Sequence, residues 1–279
     1  MRRALLLATC VSLLSIAACQ KAAPPDQPPA EQAPPAQPAT TTSSLTPEEK
    51  TVIHDAIGHL DRLPEDMDED SWRRPSEVLT FLEVKPGMTV IDYMSAGGYY
   101  TELLSYIVGS DGKVIAFNNP EYLKFAGDKP SQRYGNDRLP NVTQITTRPE
   151  EAPFEPNSVD AALFVLSYHD LHWKSKDGSW PDTDPAQALA KLVAALKPGA
   201  TVVVLDHVAA EGSDPAVSVE ALHRIDPAII KRDFEAAGLT FEAKSEAFAN
   251  PQDDHSKPVF DPQIRHKTDQ VLYRFRKPA

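Results

Sequence analysis

Cysteine is nearly absent. The 279 residues hold two, Cys10 and Cys19, both within the first nineteen positions. No disulfide can form within residues 20–279, so an oxidising compartment costs that stretch nothing. Positive charge is scarce too: 28 Lys and Arg stand against 40 Asp and Glu, a formal net charge of −12. Nucleic-acid binding needs clustered cations, and so does a polybasic membrane patch; the composition argues against both. Beyond Ile16 no apolar run approaches the length of a membrane span.

The chain opens with Arg2-Arg3 and an apolar segment, Ala4 to Ile16, that closes on Ile16-Ala17-Ala18-Cys19. This closing sequence resembles the lipobox of bacterial lipoproteins. The resemblance implies a signal peptide over 1–19 and lipidation at Cys19, with Gln20 compatible with the outer membrane. The protein is then expected to be exported and periplasm-facing, touching membrane only through its anchor. An ordinary cleaved signal peptide with an incidental cysteine is the alternative. Residues 20–45 are mostly Pro, Ala, Gln and Thr, with little to bury, and read as an extended tether.

Residues 46–279 are long enough for one α/β domain. Thr46-Pro47-Glu48-Glu49 starts a helix with a cap, a first-turn proline and early acids. Glu65 to Arg74 is polar enough to read as a surface loop, with Asp66 to Asp70 a solvated acidic patch. A short helix after Arg74-Pro75 completes a helical lead-in, 46–85. Met88 to Tyr93 is then an apolar strand, Ser95-Ala96-Gly97-Gly98 a small-residue turn, and Tyr99 to Ile107 a helix closed by Gly109. Val114 to Phe117 is a second strand, ending at Asn118-Asn119.

Val142 to Thr146 and Val159 to Leu166 give strands three and four; the latter is continuous enough to be buried on both faces. Asp184-Pro185 starts a helix stopped by Lys197-Pro198-Gly199, and Thr201 to Leu205 is a fifth strand ending in Asp206-His207. Asp226-Pro227 starts another helix. The last two apolar runs, Thr240 to Phe248 and Asp269 to Arg276, alternate like half-exposed strands and suggest an antiparallel edge pair on a mostly parallel sheet.

From Arg74 onward these residues resemble the class I S-adenosylmethionine-dependent methyltransferases. The acid and glycine turn of that family maps onto Asp92, Met94, Ala96 and Gly98. The acid after its second strand maps onto Asn118, and its phrase before strand five onto Leu196-Lys197-Pro198-Gly199. More narrowly, GGYYTELL, YHDLHW, HRIDP and NPQDDH resemble a group of exported methyltransferases. The resemblance implies a Rossmann-like fold of seven strands with helices on both faces, S-adenosylmethionine as cofactor and a small-molecule acceptor. It places Asp92, Ser95, Ala96, Gly97, Gly98, Tyr99, Asn118, Ser167 and Tyr168 around the cofactor. The chain departs from the family pattern at Met94 and Ala96, two of the three glycines, and at Asn118, which lacks the carboxylate.

In open α/β sheets ligands bind beyond the carboxyl ends of the strands. The turn, Asn118, the Ser167–His172 segment and Asp206-His207 are therefore expected to converge. His169 or His207 is the candidate base, oriented by Asp170 or Asp206. Two other readings stay open: a ligand-binding lipoprotein that has lost the cofactor, and a metal-dependent enzyme using the same His and Asp side chains.

Overall fold

The computed structural model describes residues 43–279. The expected signal peptide, Cys19 and residues 20–42 of the expected tether lie outside the described residues. Residues 43–45, read as tether, belong to the domain: Leu45 is buried, and the Ser44 amide donates to Glu83 Oε1 at 2.8 Å.

Three helices lead in: α1 (Pro47–Ile57), α2 (Pro64–Arg73) and α3 (Pro75–Leu82). A capping box at Thr46 and Glu49 opens α1 as expected. The stretch read as a polar loop is α2, and Asp66 within it is buried rather than solvated. Part of its charge is paired within the fold: Asp70 holds the Arg62 guanidinium through two bonds of 2.7 and 2.8 Å.

The sheet comprises β1 (Thr89–Tyr93), β2 (Lys113–Asn118), β3 (Val142–Thr146), β4 (Val159–Val165), β5 (Leu196–His207), β6 (Thr240–Ser245) and β7 (Gln270–Arg276). Their order is β3-β2-β1-β4-β5-β7-β6. The first five run parallel, and β7 lies antiparallel between β5 and β6. Strand order reverses between β1 and β4, which opens a crevice at their carboxyl ends. β5 begins five residues before the expected Thr201, because Leu196 pairs with Val159 ahead of a register shift.

Alternate residues of each central strand feed opposite cores. Ile91, Tyr93, Phe117, Phe164, Val202 and Val204 face one side, where α7 (Pro185–Ala195) and α9 (Pro227–Ala236) contribute Leu189, Leu192, Ile230 and Phe234. Val90, Val114, Leu163, Val203 and Leu205 face the other, against α1, α3 and α4 (Tyr99–Val108). Two helices unmarked in the sequence reading, α5 (Pro120–Ala126) and α6 (Lys129–Tyr134), follow β2, and a third, α8 (Pro215–Leu222), follows β5. One device starts five of the helices: a capping side chain followed by proline, at Thr46, Asn119, Asp184, Asp214 and Asp226. Each cap satisfies amides left unpaired in the first turn, typically worth about 1 kcal/mol.

Candidate functional site

The turn after β1 lies at the base of the crevice. Met94, Ala96 and Gly98 all adopt left-handed backbone, with φ of 57, 49 and 81°. The turn thus keeps a glycine-like path at two positions that carry side chains, a strain of order 1 kcal/mol at each. Gly98 has no such latitude: a Cβ there would lie 2.1 Å from the Tyr134 hydroxyl and 2.9 Å from Arg133 Cδ. Helix α6 therefore packs directly onto the glycine.

Asp92 is buried, and its Oδ2 accepts from the Thr101 hydroxyl at 2.6 Å. Burial lifts its pKa to about 6 despite that bond. Asn118 is also buried. Its Oδ1 accepts from the Ala96 amide at 2.8 Å and its Nδ2 donates to Ser95 Oγ at 2.9 Å, so it ties the turn to β2.

Two cavities meet here, sharing Ala96, Tyr122, Phe125 and Leu166. The smaller, about 290 Å³, takes Asp92, Ser95, Ala96, Gly97, Gly98 and Tyr99 from the turn. It adds four charged residues that the sequence reading did not place at the site: Asp66 and Arg73 from α2, read as a surface loop, and Lys129 and Arg133 from α6. Arg73 is clamped between the rings of Trp72 and Tyr99, 4.4 and 4.5 Å from their centres.

The larger cavity, about 430 Å³, is aromatic and lined by Trp72, Trp173 and Phe260 among others, with His169, Asp170, His207 and His223. His169 is anchored by Asp206, whose Oδ1 lies 2.7 Å from Nδ1 while Oδ2 accepts the His169 amide at 2.8 Å. Its Nε2 stands 3.4 Å from Asp170 Oδ1. Burial disfavours charge on His169, but Asp206 and Asp170 outweigh it and raise the ring to about 9. Burial lifts Asp170 to about 6. His207, whose Nδ1 sits 2.8 Å from Thr268 Oγ1, is pushed the other way, to about 3, by burial and the neighbouring imidazolium. His223 falls to about 4 for the same reasons.

The structure therefore brings His169, Asp170 and His207 to one cavity wall, with Asp206 fully buried behind His169. Three expected cofactor residues are elsewhere. Ser167 is buried and donates to the Tyr93 carbonyl at 3.2 Å. Tyr168 packs against Phe164 and Phe234 and donates to Asp233 at 2.9 Å. Asn118 is turned into the loop and lines neither cavity. Among the described residues no three His, Cys, Asp or Glu side chains form a metal-holding group, and no helix there is long and apolar enough to cross a membrane.

The fold so defined is that of the class I S-adenosylmethionine-dependent methyltransferases. A methyltransferase of Aquifex aeolicus covers 79% of this chain and 96% of its own at a TM-score of 0.52 and 20% identity. The [4+2]-cyclase SpnF covers 76% and 83%, with a TM-score of 0.54 and 16% identity. No protein-family profile matches the chain. In sequence it is similar to ubiquinone/menaquinone biosynthesis C-methyltransferases: 29% identical over 124 residues to that of Idiomarina loihiensis and 27% over 136 to that of a Marinomonas strain. The chain spans 44% and 48% of those two relatives' lengths, about half of each. The solved structures share the fold, and the sequence likeness covers less than half of this chain; a cyclase on the same fold shows that architecture alone does not name the reaction.

The smaller cavity fits one end of S-adenosylmethionine better than the other. The smaller one offers Arg73 and Lys129 to a carboxylate and acids to an ammonium, so it suits the amino-acid end of that molecule. The ribose hydroxyls find no free acceptor at Asn118, whose amide is already committed on both sides.

Proposed function

We propose that the protein is an S-adenosylmethionine-dependent methyltransferase whose acceptor is a small aromatic molecule bearing an acidic hydroxyl. The observation that carries this reading is the shared wall at Ala96 and Leu166. It sets a charged cavity under the β1–α4 turn against an aromatic cavity holding a His169–Asp206 pair. Bound in the smaller cavity, the cofactor supplies a methyl group on a sulfonium. The protein's part is placement and charge. Arg73 and Lys129 receive the carboxylate, and Trp72, Trp173 and Phe260 orient a flat acceptor.

The ionisation divides the work of these side chains. His169 carries its proton near neutral pH and so stabilises an acceptor oxygen that is, or becomes, an anion. His207, held near 3, is neutral at the same pH but too weakly basic to take the proton, so Asp170, lifted to about 6 at the same cavity, is the candidate proton acceptor. The similarity to quinone-biosynthesis methyltransferases supports an aromatic acceptor. Export and anchoring through Cys19 complete the proposal, resting on the N-terminal sequence.

A second reading, a binding protein on the same fold, rests on Asn118 having turned away from the ribose. Incubation with methyl-labelled S-adenosylmethionine and a panel of catechols and hydroquinones separates the two. Label in product that is lost in His169→Gln supports the enzyme. Tight cofactor binding with no transfer to any acceptor supports the binding protein.

A further inference from the structure

The smaller cavity contains an acid that the fold satisfies on one oxygen only. Asp66 is 1% exposed, and its Oδ1 has no hydrogen-bond partner among the described residues. Its Oδ2 stands 2.7 Å from Arg133 Nη2, which is ion-pair distance. That contact lacks hydrogen-bond alignment, for Arg133 Nη2 is itself unpartnered. Arg133 spends its other nitrogens on the Gly97 carbonyl and on Glu102, so it cannot turn to serve Asp66 fully. A buried carboxylate oxygen with no donor is costly, and such groups persist where something else satisfies them. Asp66 lines the cavity, so a ligand there is the available donor.

Seven residues on in the same helix, Arg73 lines the cavity too. Its Nε binds Glu69 at 2.5 Å, and its two terminal nitrogens have no hydrogen-bond partner among the described residues. Positions i and i+7 share a helix face, so α2 presents one acceptor and one donor pair to the same space, about two turns apart. A buried carboxylate oxygen and a fixed guanidinium fork are complementary to an α-amino acid: ammonium to the first, carboxylate to the second.

We propose that α2 is the recognition element for a zwitterionic amino-acid end, with Asp66 binding its ammonium and Arg73 its carboxylate. This deepens the methyltransferase reading and rests on it, since the ligand is the methionine portion of the cofactor. It also accounts for a cavity that keeps its charged half while Asn118 gives up the ribose. Recognition is weighted toward the amino-acid end of the ligand.

The test is calorimetric titration of the protein with S-adenosylhomocysteine and with its desamino analogue, in the wild type and in Asp66→Asn. The wild type should bind the desamino analogue at least tenfold more weakly than S-adenosylhomocysteine. Asp66→Asn should lose a similar factor on S-adenosylhomocysteine and nothing further on the analogue. Equal wild-type affinity for the two ligands overturns the assignment while leaving the methyltransferase reading intact. No wild-type binding of S-adenosylhomocysteine overturns both. Unchanged S-adenosylhomocysteine affinity in folded Asp66→Asn also overturns the assignment. Should that variant fail to fold, Arg73→Gln replaces it: it should lose at least tenfold on S-adenosylhomocysteine and nothing further on the decarboxylated analogue. No loss there overturns the role of α2.

Discussion

Asp92 is 3% exposed at the end of a central strand, and burial holds its pKa near 6 instead of 3.8. A raised carboxylate pKa means that the folded state binds the proton more tightly than the unfolded chain. The sign follows: no penalty below about pH 4, where both states are protonated, and a full penalty above pH 6, where the folded state must bury the charge. At about 1.4 kcal/mol per pKa unit, the two-unit shift costs about 3 kcal/mol at neutral pH. Asp92→Asn keeps an oxygen to accept the Thr101 hydroxyl and removes the charge. The variant should therefore be more stable than the wild type by about 2–3 kcal/mol at pH 7.5 and equal to it near pH 4. For a domain of this size each kcal/mol moves Tm by roughly 2–4 °C, a shift easily read by circular dichroism. The assay is melting across pH 4 to 8 on both proteins. A difference that does not change with pH, or a variant less stable than the wild type at pH 7.5, refutes the reasoning. The wild type's tolerance of the cost is what a functional acid at a binding cavity predicts.

Gly98→Ala places a Cβ against the Tyr134 hydroxyl at left-handed φ and should cost at least about 2 kcal/mol in denaturant unfolding; pairing it with Tyr134→Phe, which removes the clashing oxygen, should return part of that loss. Asp206→Asn removes the anchoring carboxylate of His169, and the ring's titration, followed by NMR, should fall from about 9 to below 6.5; an unchanged midpoint contradicts the pairing. Stability from the same pair is present below about pH 6.5 and fades as pH rises toward 9, so Asp206→Asn should flatten that part of the wild-type profile. Asp226 caps α9 through the Ala228 amide and also holds the Gly212 amide, and Asp226→Ala should cost about 2 kcal/mol by chemical denaturation.

The sheet was legible because its strands are short apolar runs bounded by turn residues, and burial on both faces leaves few other places for Val159–Val165 or Thr201–Leu205. The capping prolines marked α1, α7 and α9 for the same local reason. Helix α2 was not legible, because polar composition argues for solvent unless the partners are known. Its buried acid faces Arg133 from α6 and a cavity lined from the β1–α4 turn, both distant in sequence. The one available signal was spacing: Pro64 at a helix start, then Asp66, Asp70 and Arg73 at i, i+4 and i+7. The substitutions at Met94 and Ala96 read as a damaged turn, yet the backbone keeps its left-handed path there, since Asn118 and the neighbouring amides hold it. Asn118 itself was placed correctly at the end of β2, but a side chain's direction depends on contacts that no single stretch encodes. Tyr168 shows the converse, a residue at the right strand end that hydrophobic packing turns inward.

The central claim is that this fold holds S-adenosylmethionine, and equilibrium dialysis of the purified protein against labelled cofactor tests it most directly. Saturable one-to-one binding in the micromolar range is the expected result, displaced by S-adenosylhomocysteine and poorly by adenosine, which lacks the amino-acid end. Folded protein that retains no label up to millimolar cofactor would contradict it.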